Sequence, residues 1–191
     1  MPELPEVETV RRILDAQICG RRIAALTAQR PEVLAHPAAA EFCRAVEGAR
    51  FRALGRRGKY LLLPLDTGDE IILHLRMTGQ LLATPAEYPP CKHTHVIFDL
   101  DDGSQLRFID ARRFGRLWLR RAGEADDFSG LGKLGPEPLD PDIDAETLQA
   151  AMGKRRAAIK ACLLDQAAVA GIGNIYADES LFEAGIRPGR A

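Results

Sequence analysis

The chain has 191 residues, of which 46% are apolar and 28% charged. That is ordinary globular composition, enough for one domain or two small ones, and it excludes disorder and collagen-like structure. No apolar run reaches the roughly 18–20 residues that span a bilayer, and acids stand where a signal peptide carries basic and then apolar residues. A cytoplasmic, monomeric protein without a membrane partner is expected. The 26 Lys and Arg almost balance the 27 Asp and Glu, which argues against a uniformly basic nucleic-acid binder. Basic residues still cluster at 50–59, 107–121 and 154–160, and such local patches can bind a polyanion.

Taken in chain order, Pro5 opens a helix with Val7, Val10, Ile13 and Leu14 on one face, and Gly20 ends it. Strands are predicted at 22–28, 50–54, 59–65, 70–75, 80–83, 95–100, 105–109 and 114–119, with a short helix near 38–46. Asp102-Gly103 between two alternating runs is a hairpin signal. Many short strands with turn punctuation point to a sandwich or barrel. The segment 130–144, GLGKLGPEPLDPDID, reads as a linker. Helices follow at about 145–152, 155–168 and 175–184, the middle one aligning Ile159, Cys162, Leu163 and Gln166, the last capped by Asn174. The fold class is therefore α+β: a β-domain over 2–130, sandwich or barrel, a linker over 131–143 and a helical domain over 144–191.

Cys19, Cys43, Cys91 and Cys162 form no C-x-x-C pair. Neither a zinc ribbon nor a redox motif is expected from them, only free and mostly buried thiols.

Four constellations carry possible chemistry. Removal of Met1 would leave Pro2 as an N-terminal secondary amine. Terminal amines titrate near about 7.7–8.0, so part of it would be nucleophilic at neutral pH and able to form an iminium with an aldehydic carbon. Glu3 beside it is a candidate general acid or base; the alternative is a common Met-Pro start followed by helix-end acids. Gly171-Ile172-Gly173-Asn174 lies between two helices, where free amides suit a phosphate; the alternative is a plain glycine turn. In Asp110-Ala111-Arg112-Arg113-Phe114, an aromatic beside arginines suits insertion into a base stack; the alternative is a strand-edge arginine pair beside a core phenylalanine. Arg56-Arg57-Gly58-Lys59 is a further phosphate candidate or else a solvated loop. His74, His93 and His95 lack metal-ligand spacing and read as structural or phosphate-contacting.

The strings PELPEVETVRR, GRRGKYLLL, HLRMTGQL, DARRFGRL, LGPEPL and GIGNIYADESLFEAGIRP occur in this order over essentially the whole chain. Together they resemble the bacterial formamidopyrimidine-DNA glycosylases. The resemblance implies an N-terminal β-sandwich, a helix–two-turn–helix element and a DNA cleft between them. It implies a bifunctional base-excision-repair enzyme, glycosylase and abasic-site lyase, that removes 8-oxoguanine and formamidopyrimidines from damaged double-stranded DNA. Pro2 then corresponds to the nucleophile, Glu3 to the proton-transferring carboxyl, Glu6 to a supporting carboxylate and Lys59 to the catalytic lysine near the lesion. Met77, Arg112 and Phe114 correspond to the group that fills the gap left by the extruded base. Gly173, Asn174 and Tyr176 correspond to a phosphate grip, with His74 and His93 as further phosphate contacts. The family continues past the position of Ala191 to a four-cysteine zinc finger that holds one zinc. The resemblance thus implies a chain cut short, with an incomplete helical domain and no cofactor of its own. Two alternatives stand beside the repair enzyme: a DNA-binding remnant without turnover, and an oxidised-pyrimidine glycosylase of the endonuclease VIII branch.

Overall fold

The computed structural model describes residues 1–153 and 157–190. It contains two sheets. Strands β1 (Ile23–Ala28), β7 (Thr94–Leu100), β8 (Ser104–Asp110) and β6 (Gly79–Pro85) form one sheet in the order β1-β7-β8-β6, all antiparallel. The other has the order β2-β9-β5-β4-β3, from β2 (Leu34–His36), β9 (Arg116–Arg120), β5 (Glu70–His74), β4 (Tyr60–Pro64) and β3 (Gly55–Arg57). Only β2 runs parallel to its neighbour. The mixed architecture of sandwich plus helices is the α+β class that the sequence implies.

The two sheets share one core. Phe51, Phe98 and Phe108 are fully buried with Leu61, Leu63, Ile71 and Leu73. Each such side chain contributes about 1.5–3 kcal/mol of burial. Helix α1 (Leu4–Ile18) lays Leu4, Val7, Leu14 and Ile18 inward. Ile13, read as part of that face, is half exposed because it lies on the solvent side of the helix. Cys19 caps the C-terminus and Gly20 follows in the left-handed region at φ 81°, as its sequence position predicts. Helix α2 (Ala39–Val46) buries Phe42 and Val46 against β1 and β2.

The outer face of the second sheet is also covered. Tyr60, Ile72 and Trp118 pack under Phe128, Leu131 and Leu134 from the segment that follows β9. This is why β5 is buried on both faces and shows no alternation.

The strand predicted at 50–54 is absent. Arg50 and Phe51 make only isolated bridges, to Arg22 and Leu65. The backbone there is recruited singly, the Leu54 N–H donating to the Asp15 carboxylate at 2.7 Å. The hairpin at Asp102-Gly103 does join β7 to β8, with Gly103 at φ 81° and the Asp102 carboxylate accepting from the Ser104 N–H.

The helical part contains α3 (Ala145–Met152), α4 (Ile159–Leu164) and α5 (Asn174–Glu183). Leu163, Val169, Ala177 and Leu181 form its core, with Leu148, Met152 and Ile186 against it. The helix predicted over 155–168, and the basic cluster over 154–160, fall partly on residues outside those described. Within the described residues, the helix ends at Leu164. Gln166 sits beyond it, and its side-chain amide binds the Leu164 and Ile172 carbonyls and the Gly171 N–H. That polar clamp competes with helix continuation and shapes the turn before α5.

The thiols are free, but Cys19 and Cys91 are exposed, contrary to the expectation of mostly buried cysteines; Cys162 is buried and Cys43 partly so. Both exposed ones lie in loops that no core element covers. No helix of the described residues is long and apolar enough to cross a membrane.

Candidate active site

The N-terminal motif and the GIGN turn, far apart in sequence, meet in space. Leu4 donates its N–H to the Gly171 carbonyl at 3.1 Å. Glu3 is buried, and its carboxylate accepts from three backbone N–H groups at the start of α5: Gly173 at 2.7 Å, Ile175 at 3.0 Å and Tyr176 at 3.2 Å. A carboxylate at the positive end of a helix, holding otherwise orphaned donors, is strongly favoured. Asn174, expected to cap this helix, is its first residue; Gly173 occupies the cap position and contributes no side chain. The anion site predicted at these amides is therefore filled from within the chain, by Glu3, and the Gly173 N–H is not open to phosphate.

The two glycines of the turn are dictated by this approach. A Cβ on Gly173 would fall inside the Glu3 carboxylate, and one on Gly171 would lie 2.8 Å from the Leu4 Cβ. The close partner foreseen for this glycine turn is the chain's own N-terminus.

Glu6 ties the same corner together. It is exposed, accepts the Glu3 N–H at 2.8 Å, and accepts the Tyr176 hydroxyl at 3.0 Å. That bond to a carboxylate pushes the Tyr176 phenol above its ordinary pKa. Pro2 is partly exposed at the entrance to α1, preceded here by an exposed Met1.

A cavity of about 560 Å³ opens beside this corner, within the range of clefts that take small ligands, ~300–1,000 Å³. Met1, Lys59, His74, Gly173 and Asn174 are among its lining residues. Lys59 is buried to 6% exposure. Burial pushes its ammonium below the ordinary lysine pKa, and the Glu3 charge pulls it partly back. His74 is also buried, edge-on to Tyr60 with ring centroids 4.6 Å apart. Its Nδ1 accepts the Arg76 N–H at 2.9 Å. Burial first, then the Arg76 and Lys59 cations, push its pKa down to about 3. The ring is therefore neutral, and with Nδ1 accepting, Nε2 carries the proton.

A second group of predicted residues lies on two adjoining loops. Met77, in the β5–β6 turn, and Phe114, in the β8–β9 loop, are each about half exposed although apolar. The Arg112 guanidinium sits over the Phe114 ring at 4.8 Å. Both loops are fastened to Asp110, which is fully buried. Its carboxylate accepts the Thr78 hydroxyl, the Arg112 N–H at 3.1 Å and the Gly115 N–H at 2.8 Å. Burial pushes the Asp110 pKa up, but these bonds outweigh it and the net shift is downward. Phe114 is thus not the core phenylalanine of the alternative reading. His93, partly buried just before β7, meets the same cluster through its carbonyl, which accepts the Asp110 N–H at 3.0 Å. His95 is buried with Nε2 2.6 Å from the Asp110 carbonyl.

Arg56 and Arg57 fit neither of their expected roles. Both are bound to Glu137, at 2.7 and 2.9 Å, and Arg56 also reaches Glu8 at 3.2 Å. They are internal struts, neither phosphate contacts nor a solvated loop. Sequence reasoning missed Asp110, Glu137 and Gln166 as site-building residues. An acid between two prolines in LGPEPL was the one available signal for Glu137. Among the described residues, no three His, Cys, Asp or Glu side chains gather at metal-binding spacing.

The formamidopyrimidine-DNA glycosylase N-terminal domain matches residues 1–117, and the formamidopyrimidine-DNA glycosylase H2TH domain matches residues 134–191. Among curated relatives, the formamidopyrimidine-DNA glycosylase of Moorella thermoacetica is 51% identical over 190 residues, and that of Desulforamulus reducens 50% over 191; each alignment covers 100% of this chain and 69% of the relative. Among solved structures, the Lactococcus lactis enzyme complexed with abasic-site DNA superposes with a TM-score of 0.91 at 35% identity, covering 98% of this chain and 69% of that one. The same enzyme with an oxidised-pyrimidine-containing DNA gives 0.91 at 35% identity, covering 99% and 70%. A β-sandwich whose N-terminus is locked into a helix–two-turn–helix unit defines the class: a DNA glycosylase built on that pair of domains. The chain belongs to the formamidopyrimidine-DNA glycosylase family.

Proposed function

We propose that the protein excises oxidised purines, 8-oxoguanine and formamidopyrimidines, from duplex DNA and then cleaves the abasic strand through a Schiff base at Pro2. The observation that carries this reading is the Glu3 carboxylate, fixed by three α5 amides immediately beside Pro2, with the buried Lys59 facing the same cavity.

Removal of Met1 frees the Pro2 nitrogen as a secondary amine. Its lone pair attacks C1′ of the damaged nucleotide, the bond from C1′ to the base breaks, and the base leaves with a proton. Glu3 is the neighbouring group for proton transfer during sugar ring opening, and Glu6 holds it in place through the Glu3 N–H. The resulting iminium acidifies C2′. Loss of that proton expels the 3′ phosphate, a second elimination expels the 5′ phosphate, and water releases Pro2. Lys59, whose burial lowers its ammonium pKa from the ordinary lysine value, is a candidate for proton exchange with the substrate. Neutral His74, with its proton on Nε2, is a hydrogen-bond donor for phosphate or sugar. His93, Asn174 and Tyr176 extend the backbone contact.

The base must leave the stack, which costs a few kcal/mol. Exposed Met77 and Phe114, with Arg112 held over the Phe114 ring, supply a wedge that offsets this. Excision assays on duplexes with 8-oxoguanine, formamidopyrimidine and thymine glycol test the reading. Purine lesions should be released fastest, and Glu3→Gln should abolish release. Release of thymine glycol alone would assign the oxidised-pyrimidine branch, and salt-dependent duplex binding without product would leave a binding remnant.

A further inference from the structure

We infer that Glu137 is a positioning residue for Lys59, holding the hairpin tip that carries this lysine in register with the helical wall of the cavity. The inference rests on the excision reading above for why the position of Lys59 matters.

Strands β3 and β4 pair Arg57 with Tyr60, so Gly58 and Lys59 are the two residues of the turn between them. Gly58 takes φ 54°, as a two-residue hairpin with glycine first requires. A tip of this kind projects beyond its sheet, and the strand ladder alone does not fix where it points. Here both polar groups of Gly58 are bound. Its N–H donates to the Glu137 carboxylate, and its carbonyl accepts from the Arg56 Nη1 at 3.0 Å. Arg56 and Arg57 donate to the two oxygens of the same carboxylate. Three groups on and around the peptide that leads into Lys59, the Gly58 N–H and the Arg56 and Arg57 guanidinium ions, thus converge on one side chain.

Glu137 is itself fixed to the other domain. It stands between Pro136 and Pro138, whose rings restrict the backbone. The Pro136 carbonyl accepts the Ala170 N–H at 2.9 Å, and the Gly135 N–H reaches the Gln166 carbonyl at 2.8 Å. The segment is therefore stitched to the turn that ends at Gly173 and Asn174, which line the same cavity as Lys59. Glu137 is the joint through which the sandwich lysine is placed against the helical wall. Burial pushes its carboxyl pKa up, and the Gly58 N–H and the two guanidinium groups bring it below the ordinary value.

Glu137→Gln keeps the shape, but its amide group cannot accept from both guanidinium ions. Two readouts on the whole protein test the role. The first is reductive methylation with limiting formaldehyde and cyanoborohydride, followed site by site by mass spectrometry. Lys59 should react about fivefold or more faster in the variant, while exposed Lys92 is unchanged. The second is single-turnover excision of 8-oxoguanine, which should fall about tenfold while duplex affinity changes less than about twofold, as expected for a misplaced group near the chemistry. Unchanged Lys59 labelling would overturn the inference whatever the excision rate. So would equal acceleration at Lys59 and Lys92, which would mean general loosening. If the parent protein excises nothing, the excision reading fails, and the labelling contrast still decides whether Glu137 places Lys59.

Discussion

The Glu3 Oε2 lies 2.7 Å from the Gly173 nitrogen, across a sequence separation of 170 residues. This contact joins the two domains one residue after Pro2. Gly173→Ala would put a methyl group inside the Glu3 carboxylate. Overpacking of this kind costs about 1–3 kcal/mol. The variant should lose that much stability in urea unfolding and lose excision more than tenfold, because Glu3 must leave the α5 amides. Wild-type excision in Gly173→Ala would show that the contact is dispensable.

Asp110 holds two loops, so its removal should affect both. Asp110→Ala strands the Thr78 hydroxyl and the Arg112 and Gly115 N–H groups. Lost and unsatisfied bonds of this type cost about 1–3 kcal/mol. Thr78→Val should cost about 1 kcal/mol, and the double variant should cost less than the sum, since the two groups share one bond. Strict additivity in denaturant titrations would contradict the linkage.

His74 gives a pH dependence with a definite sign. Its folded pKa is depressed, to about 3, from an unfolded value near 6.5. The unfolded chain therefore binds a proton that the native state refuses, and stability falls as pH drops below about 6.5. Between pH 6.5 and 4.5 this group alone should remove up to about 1.4 kcal/mol per pH unit. His74→Gln should flatten the slope over that window relative to the parent. An unaltered slope would mean that the imidazole is free to protonate.

Arg112 and Phe114 form a stacked pair at the loop tip. If the pair enters the duplex as proposed, Phe114→Ala should weaken binding to lesion duplexes by about 1–3 kcal/mol per lost stacking contact. It should leave binding to undamaged duplex, which depends on phosphates, nearly unchanged. An equal loss on both duplexes would assign the pair to the phosphate backbone.

Much of this was legible from local sequence. The alternating runs around Asp102-Gly103 located the β7–β8 hairpin, and Gly20 marked the end of α1. The cluster of Pro2, Glu3, Lys59 and the GIGN turn was readable only through resemblance, because nothing local says that residues 3 and 173 touch. Three of the misreadings share a cause. Arg50–Leu54 has strand-like residues, but its backbone bonds go to Asp15 and to single bridges. Arg56 and Arg57 look like phosphate ligands until Glu137, some 80 positions on, binds both guanidinium groups. The α5 amides look like a vacant anion site until a distant carboxylate fills it. In each case the missing information was a long-range polar partner, which neither periodicity nor propensity encodes.

The most direct test traps the covalent intermediate and locates it. The protein is incubated with 8-oxoguanine duplex and borohydride, digested, and the adduct mapped by mass spectrometry, in parallel for protein with and without Met1. The account predicts a deoxyribose adduct on the Pro2 nitrogen of the processed protein and none when Met1 is retained. An adduct on Lys59, or equal trapping when Met1 is retained, would contradict it.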